Sequence, residues 1–265
     1  MLLGSKLNTL LKVLKKLGFS SMLSLITSKI LQSIKISSPT ENTDNSYEGV
    51  SSISELDELK ISHILNIDLL EIRDLLKKYE SFWNDFSLKI AKPRKDFFDS
   101  IFDLGPSASK LLFILSMITR PETIIETGVA AGRSSNIALA ALNINEGGNL
   151  ISFDITNRVG ELIYPEFRNK WILFVLPKIG RKREFQRRLR KISNCGLFIH
   201  DSDHSFKWQV FEFESILNRF PEVPYLIIDD IDRELFDLMK GKYPNLKVVL
   251  LDEGKKFSAL CINRV

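Results

Sequence analysis

From residue 105 onward the chain alternates short apolar runs with longer amphipathic segments. The runs are TIIET (123–127), NLISFDI (149–155), WILFV (171–175), GLFIHD (196–201), YLIIDD (225–230), LKVVLL (246–251) and KFSALCI (256–262). Helix-compatible segments separate the first five, which predicts parallel strands joined by crossover helices on both faces of one sheet. Only Asp252-Glu253-Gly254-Lys255 lies between the last two. So short a connection predicts a hairpin, and one of the two strands must then run antiparallel. Ser107 is expected to cap a helix that continues through Ile118, where Pro121 prevents its extension.

The segments before residue 105 follow a different pattern. Leu3, Leu7, Leu10, Leu14 and Leu17 repeat at helical spacing, and a second apolar-periodic stretch runs from Met22 to Ile36. The first 38 residues carry six lysines and no acid. Residues 1–36 are therefore expected to form a basic amphipathic helical segment, placed either on an anionic membrane surface or against the domain or a partner. The lysines interrupt the apolar centre that a signal peptide needs. The polar residues 37–52 read as a linker. Residues 53–104 read as a helical lead-in, with Ile64, Ile67, Leu75, Tyr79 and Phe82 on one stripe and His63 on the helix surface. The remaining segment, 105–265, is the expected domain.

Composition narrows the class only a little. A 265-residue chain that is 44% apolar and 26% charged is long enough for one substantial core, which excludes fibrous and wholly disordered readings. Its most apolar stretch, Leu111 to Ile118, is far too short to span a bilayer. Two cysteines, Cys195 and Cys261, build neither a disulfide framework nor a zinc cage, which suggests a reducing, cytoplasmic setting. The net charge of +4 is concentrated locally: Lys178 to Lys191 holds eight basic residues and one acid, Glu184. Phe185, Leu189 and Ile192 give that stretch an apolar stripe, so it reads as a helix with a charged outer face. Aromatic stacking platforms and nucleic-acid motifs are not evident beside it, so no nucleic-acid partner is expected.

Ligands of such sheets bind outside the carboxyl ends of the parallel strands. Those ends read Glu126-Thr-Gly128-Val-Ala-Ala-Gly132-Arg-Ser134, then Asp154, then Asp201-Ser-Asp203-His204, then Asp229-Asp230-Ile-Asp232. Four of five predicted ends carry acid. Carboxylates gathered on one rim raise each other's pKa unless a cation or hydroxyl donors face them. A dinucleotide site wants G-x-G-x-x-G, but the middle glycine position is Ala130, and Glu126 stands two residues before Gly128. That pattern suits S-adenosylmethionine, which has an ammonium, a sulfonium and a ribose diol but no phosphate. Asp154, 26 residues beyond Gly128, is placed to accept the ribose hydroxyls.

The segment ETGVAAGRSS (126–135) resembles motif I of class I S-adenosylmethionine-dependent methyltransferases, most closely the branch grouped as methyltransferase domain 24. FIHDSDHSFKWQVFEFE and YLIIDDID resemble the fourth- and fifth-strand motifs of that branch, and of its cephalosporin hydroxylase-like relatives. The resemblance covers roughly residues 105–262. It implies a Rossmann-like, seven-stranded, mostly parallel sheet with a C-terminal antiparallel hairpin strand, preceded here by the α-helical N-terminal extension. It also implies that Glu126, Gly128, Gly132 and Ser134 line the methionine end of the cofactor, that Asp154 holds the ribose, and that Asp201 lies near the transferring methyl.

Where these relatives carry a glycine- and acid-containing turn at the adenine pocket, this chain has LPKIGRKREF. The implied reaction is methylation of a small-molecule or sugar hydroxyl. Its proton has two routes: His204 as general base, or Mg2+ held by Asp201, Asp229 and Asp230 as in catechol-type O-methyltransferases. The competing readings are a hydroxylase-like metal enzyme on the same fold and a non-catalytic protein recruited to a membrane or partner through residues 1–36. His200 is expected to be buried structure, Trp208 and Phe211 core, and Asp203 and Asp232 helix-start residues.

Overall fold

In a computed structural model, residues 51–91, 103–254 and 256–264 are described. The expected basic segment 1–36 lies outside them, as do all but the last two residues of the linker. Among the described residues, no helix is long and apolar enough to cross a membrane.

The chain runs β1 (Ser52–Ile53), α1 (Glu58–Leu65), α2 (Leu69–Ile90), α3 (Pro106–Thr119), β2 (Thr123–Thr127), α4 (Arg133–Ile144), β3 (Asn149–Asp154), β4 (Trp171–Val175), α5 (Arg181–Leu189), β5 (Leu197–His200), α6 (Phe206–Arg219), β6 (Tyr225–Ile228), α7 (Arg233–Lys242), β7 (Leu246–Asp252) and β8 (Phe257–Asn263). A 3-10 turn, Pro165–Lys170, leads into β4. The strands form one sheet in the order β1-β7-β8-β6-β5-β2-β3-β4. Strands β2 to β6 pair in parallel, whereas β8 inserts antiparallel between β6 and β7. All seven expected strands are present. The eighth, β1, adds two residues in parallel at the β7 edge. Two residues carry no usable periodicity, and a partner strand some two hundred positions away defines them.

Strand β2 is buried along its whole length and lies between β3 and β5, where the direction of strand addition reverses. Helix α3 covers it: Leu111, Leu112, Phe113, Ile114 and Leu115 are fully buried. Its start corrects the expectation for Ser107. The N-cap position is Gly105, and the donors capped are the Ser107 and Ala108 N–H groups, which reach the Glu253 carboxylate at 3.0 and 2.9 Å. An acid in the hairpin turn thus satisfies the orphan amides of a helix almost 150 residues earlier. Helix α2 packs on α3 through aromatic contacts, with Tyr79 edge-on to Phe113 and Phe82 stacked on it. His63 is exposed on α1, in agreement with the sequence.

Candidate active site

The loop after β2 sits at the switch point of the sheet, where open α/β folds bind ligands. Gly128 adopts φ +79°, and a Cβ there would fall 1.9 Å from the Asp201 carbonyl oxygen. Only glycine lets this loop touch the end of β5. Ala130 stands at the position of the motif's middle glycine and keeps the left-handed conformation, φ 46°, at a steric cost that glycine would avoid. Gly128 and Ala130 are half-buried, at the open side of the loop. Gly132 is different. It is buried at the start of α4, where a Cβ would lie 2.9 Å from Gly160 Cα. Segment 160–163 straps the loop, with Gly160 N–H donating to Ala130 O and Leu162 N–H to Ala131 O.

Glu126 and Ser134 are bonded to each other beneath the loop. Glu126 is fully buried and accepts hydroxyls from Ser134 (2.6 Å), Ser135 (2.7 Å) and Ser152 (2.6 Å). Burial pushes its pKa up, opposed by these three bonds. Its carboxylate therefore ties β2, β3 and the start of α4 together beneath the loop. The Ser134 hydroxyl is turned inward to the same acid, and Gly132 packs against the strap. The position after a strand end was legible, but the side on which each side chain lies was not.

Asp154 stands half-buried at the carboxyl end of β3. Its Oδ2 accepts Val129 N–H at 2.9 Å, and Oδ1 accepts Ile155 N–H at 2.7 Å and Thr156 N–H at 3.1 Å. Burial raises its pKa, and the backbone donors pull against that. A carboxylate offers about four acceptor positions. It only accepts, which matches the donor chemistry of a ribose diol, although the Val129, Ile155, Thr156 and Ala130 amides already converge on it.

Across β2 the second half of the site is built from β5, β6 and the turn before β8. His204 and Asp201 face each other, with Nε2 and Oδ1 3.8 Å apart. His204 Nδ1 lies 3.2 Å from the Asp229 carbonyl oxygen. A carbonyl only accepts, so Nδ1 is the donor there, and Nε2 is the ring atom that faces Asp201. Asp201, His204 and Asp229 each bring one ligand-capable atom, all within 4.8 Å of one another.

Of the expected Mg2+ set of Asp201, Asp229 and Asp230, the structure gathers Asp201 and Asp229, with His204 as the third member of the cluster. Asp230 is not in that cluster, and its φ of 46° marks a tight turn whose carbonyl accepts Gln209 Nε2 at 3.0 Å. Asp229 is fully buried with both oxygens engaged, one by the Lys256 ammonium and the other by Ser258 Oγ at 2.9 Å. A divalent ion would have to displace an ammonium already paired with its central ligand. Lys256 was absent from the sequence-based site. It directly follows the hairpin turn, and nothing in the sequence signals that this turn lies beside β6.

Around this pair stand further residues that the sequence did not single out. The Lys256 ammonium also donates to the Asp103 carbonyl at 3.0 Å, while the Asp103 carboxylate lies 3.6 Å from Arg133. Arg133 in turn rests over the Trp83 ring of α2, 4.9 Å from its centroid. Beneath the site the buried Glu212 collects Thr127 Oγ1 (2.7 Å), His200 Nδ1 (2.7 Å), Ser202 Oγ (2.9 Å) and Trp208 Nε1 (2.6 Å). His200 and Trp208 are thus buried structure, as expected.

Arg181 stacks 3.7 Å from the Trp208 ring centroid and pairs with Asp203 at 3.6 Å. The basic stretch forms α5, with Phe185, Leu189 and the following Ile192 buried. Asp232 caps α7 through the Glu234 N–H, and Asp203 accepts Ser205 N–H just before α6.

Residues 125–231 match the family described as "Methyltransferase domain". This is the class I methyltransferase fold, with its Rossmann-like, mostly parallel sheet and antiparallel final strand. Among solved structures, the chain is similar to S-adenosylhomocysteine-bound methyltransferase PaMTH1 from Podospora anserina. Identity is 10%, with 82% of this chain and 100% of that one covered, at a TM-score of 0.50. It is also similar to a candidate O-methyltransferase from Klebsiella pneumoniae, at 16% identity, 80% and 97% coverage and a TM-score of 0.50. No curated protein matches the sequence. Such distant structural likeness establishes the fold, while the domain match supports S-adenosylmethionine-dependent methylation.

Proposed function

We propose that the chain is an S-adenosylmethionine-dependent O-methyltransferase acting on a small-molecule or sugar hydroxyl. The observation that carries the reading is a juxtaposition across β2. The Gly128–Ala130 loop and Asp154 lie on one side and the His204–Asp201 pair on the other, drawn together by the contact of Gly128 with the Asp201 carbonyl. The first group suits a ribose-bearing cofactor, and the second suits removal of a hydroxyl proton.

In this reading Asp154 holds the ribose hydroxyls and the open side of the loop holds the methionine end. S-adenosylmethionine supplies an electrophilic methyl group when bound. The chain's own contribution is alignment and proton transfer. Holding the acceptor oxygen in line with the methyl group removes much of the entropic part of the barrier. His204 accepts the hydroxyl proton at Nε2, and Asp201 then faces the imidazolium. The Nδ1–H bond to the Asp229 carbonyl fixes the ring for that role.

Calorimetric titration with S-adenosylmethionine and S-adenosylhomocysteine tests the proposal. Micromolar binding that Asp154→Ala abolishes, in a protein that still unfolds cooperatively, supports it. Absence of binding to the folded wild type overturns it. Given binding, a screen of hydroxyl acceptors should find transfer that His204→Ala reduces by about 10²–10⁴-fold, the range of general-base contributions.

A further inference from the structure

We infer that Lys256 is the resident cation of the acceptor site, occupying the place among strand-end carboxylates that a divalent ion would otherwise take, and presenting an N–H to the acceptor oxygen. Its ammonium is paired with Asp229, which is fully buried, and a buried carboxylate is costly unless it is paired. An ammonium has three protons. One goes to Asp229 and one to the Asp103 carbonyl, which leaves a third for an acceptor oxygen, and the side chain is 20% exposed.

Burial by itself would lower the Lys256 pKa, but Asp229, Asp201 and Asp230 outweigh it and hold the group above its ordinary value. The ammonium therefore stays charged at neutral pH. The neighbours divide the labour accordingly. His204 takes the proton at Nε2, Lys256 stabilises the oxygen that loses it, and Asp229 touches both through its carbonyl and its carboxylate.

The location explains why the last hairpin belongs to the site. Lys256 lies between the turn whose Glu253 caps α3 and the strand whose Ser258 holds the other Asp229 oxygen. Positions 253, 256 and 258 thus serve a helix start, a cation position and an acid. The Arg133–Asp103 pair over Trp83 continues the same wall toward α2.

The acceptor role of Lys256 rests on the methyl-transfer reading, but its occupation of the cation position does not, so the first measurement uses Mn2+ alone. In an electron paramagnetic resonance titration, the wild-type chain is expected to bind no Mn2+ at the strand ends. Lys256→Ala should gain one Mn2+ site, which Asp229→Asn added to it removes. A wild type that binds one Mn2+ and loses it on Asp229→Asn overturns the inference, as does a folded Lys256→Ala protein with no gain of binding. If Lys256→Ala does not fold, the wild-type comparison with Asp229→Asn still decides.

Once an acceptor is found, wild-type transfer should be insensitive to a chelator, and Lys256→Met should lower kcat by roughly 10²-fold or more, in line with loss of an oxyanion donor. Activity that falls with chelation and returns with Mg2+ overturns the assignment. Absent cofactor binding together with the expected Mn2+ pattern would instead count against methyl transfer alone.

Discussion

The two acid-bearing halves of the site satisfy their carboxylates by opposite means. On the β3 side Glu126 is held by three serine hydroxyls and Asp154 by backbone amides. On the β6 side Asp229 is held by an ammonium, and Asp201 faces an imidazole. Neutral donors fix geometry without supplying a proton that titrates near neutrality. Titratable partners can trade protons with a bound molecule. The first half holds its acids with neutral donors, while the second holds them with basic groups. Gly128, in contact with the β5 end, is the joint between them.

Unfolding of Lys256→Met in urea should break the contrast most strongly. It leaves Asp229 buried without its ammonium partner, with an expected loss of about 3–5 kcal/mol. In the double variant with Asp229→Asn, much of that loss should return, because the unpartnered carboxyl is gone. The same double cycle between Glu126 and Ser152 should show a much smaller coupling. If the two couplings are equal, the distinction between neutral and ionic satisfaction has no energetic content.

Gly128→Ala tests the joint. Its Cβ would meet backbone, which cannot swing away, and the left-handed conformation adds strain, so a loss of about 2–4 kcal/mol is expected. A thermal shift of only a degree or so in that variant would show that the loop separates from β5 without cost.

Glu126→Ala strands three buried hydroxyls and is expected to cost about 2–3 kcal/mol. Glu126→Gln should cost less, since rotatable hydroxyls can re-pair with an amide. The pH dependence sharpens this. The folded pKa of Glu126 lies above its unfolded value, so the folded chain binds the extra proton in the window between the two. Its contribution is most favourable below the unfolded value near 4.5 and is lost as pH rises through the folded pKa. The melting-temperature difference between wild type and Glu126→Gln should therefore move against wild type as pH rises through that window.

The smallest effects concern groups outside the contrast. Ala130→Gly relieves one left-handed alanine but adds chain entropy, so stability should change by under about 1 kcal/mol. Burial pushes both cysteine thiols up to about 12. Neither Cys195 nor Cys261 should react with a thiol reagent in the native protein at pH 8, and both should react in denaturant; native reaction would mean that β5 or β8 opens locally.

The apolar runs by themselves determined the seven long strands, their crossover order and the final hairpin, because period and connection length are local properties of a chain. They also located the acids, since the residue after a parallel strand is fixed by counting. Tertiary structure decided what each acid does. Glu126 and Asp154 both follow the reading of a cofactor acid, yet packing turned Glu126 down onto Ser134, Ser135 and Ser152 and left Asp154 at the opening. Asp229 read as a metal ligand, and β8, inserted beside β6, brings Lys256 to it from 27 residues away. Side-chain direction at a strand end and the identity of a buried charge's partner are long-range properties, and pairing across a sheet is what sets them.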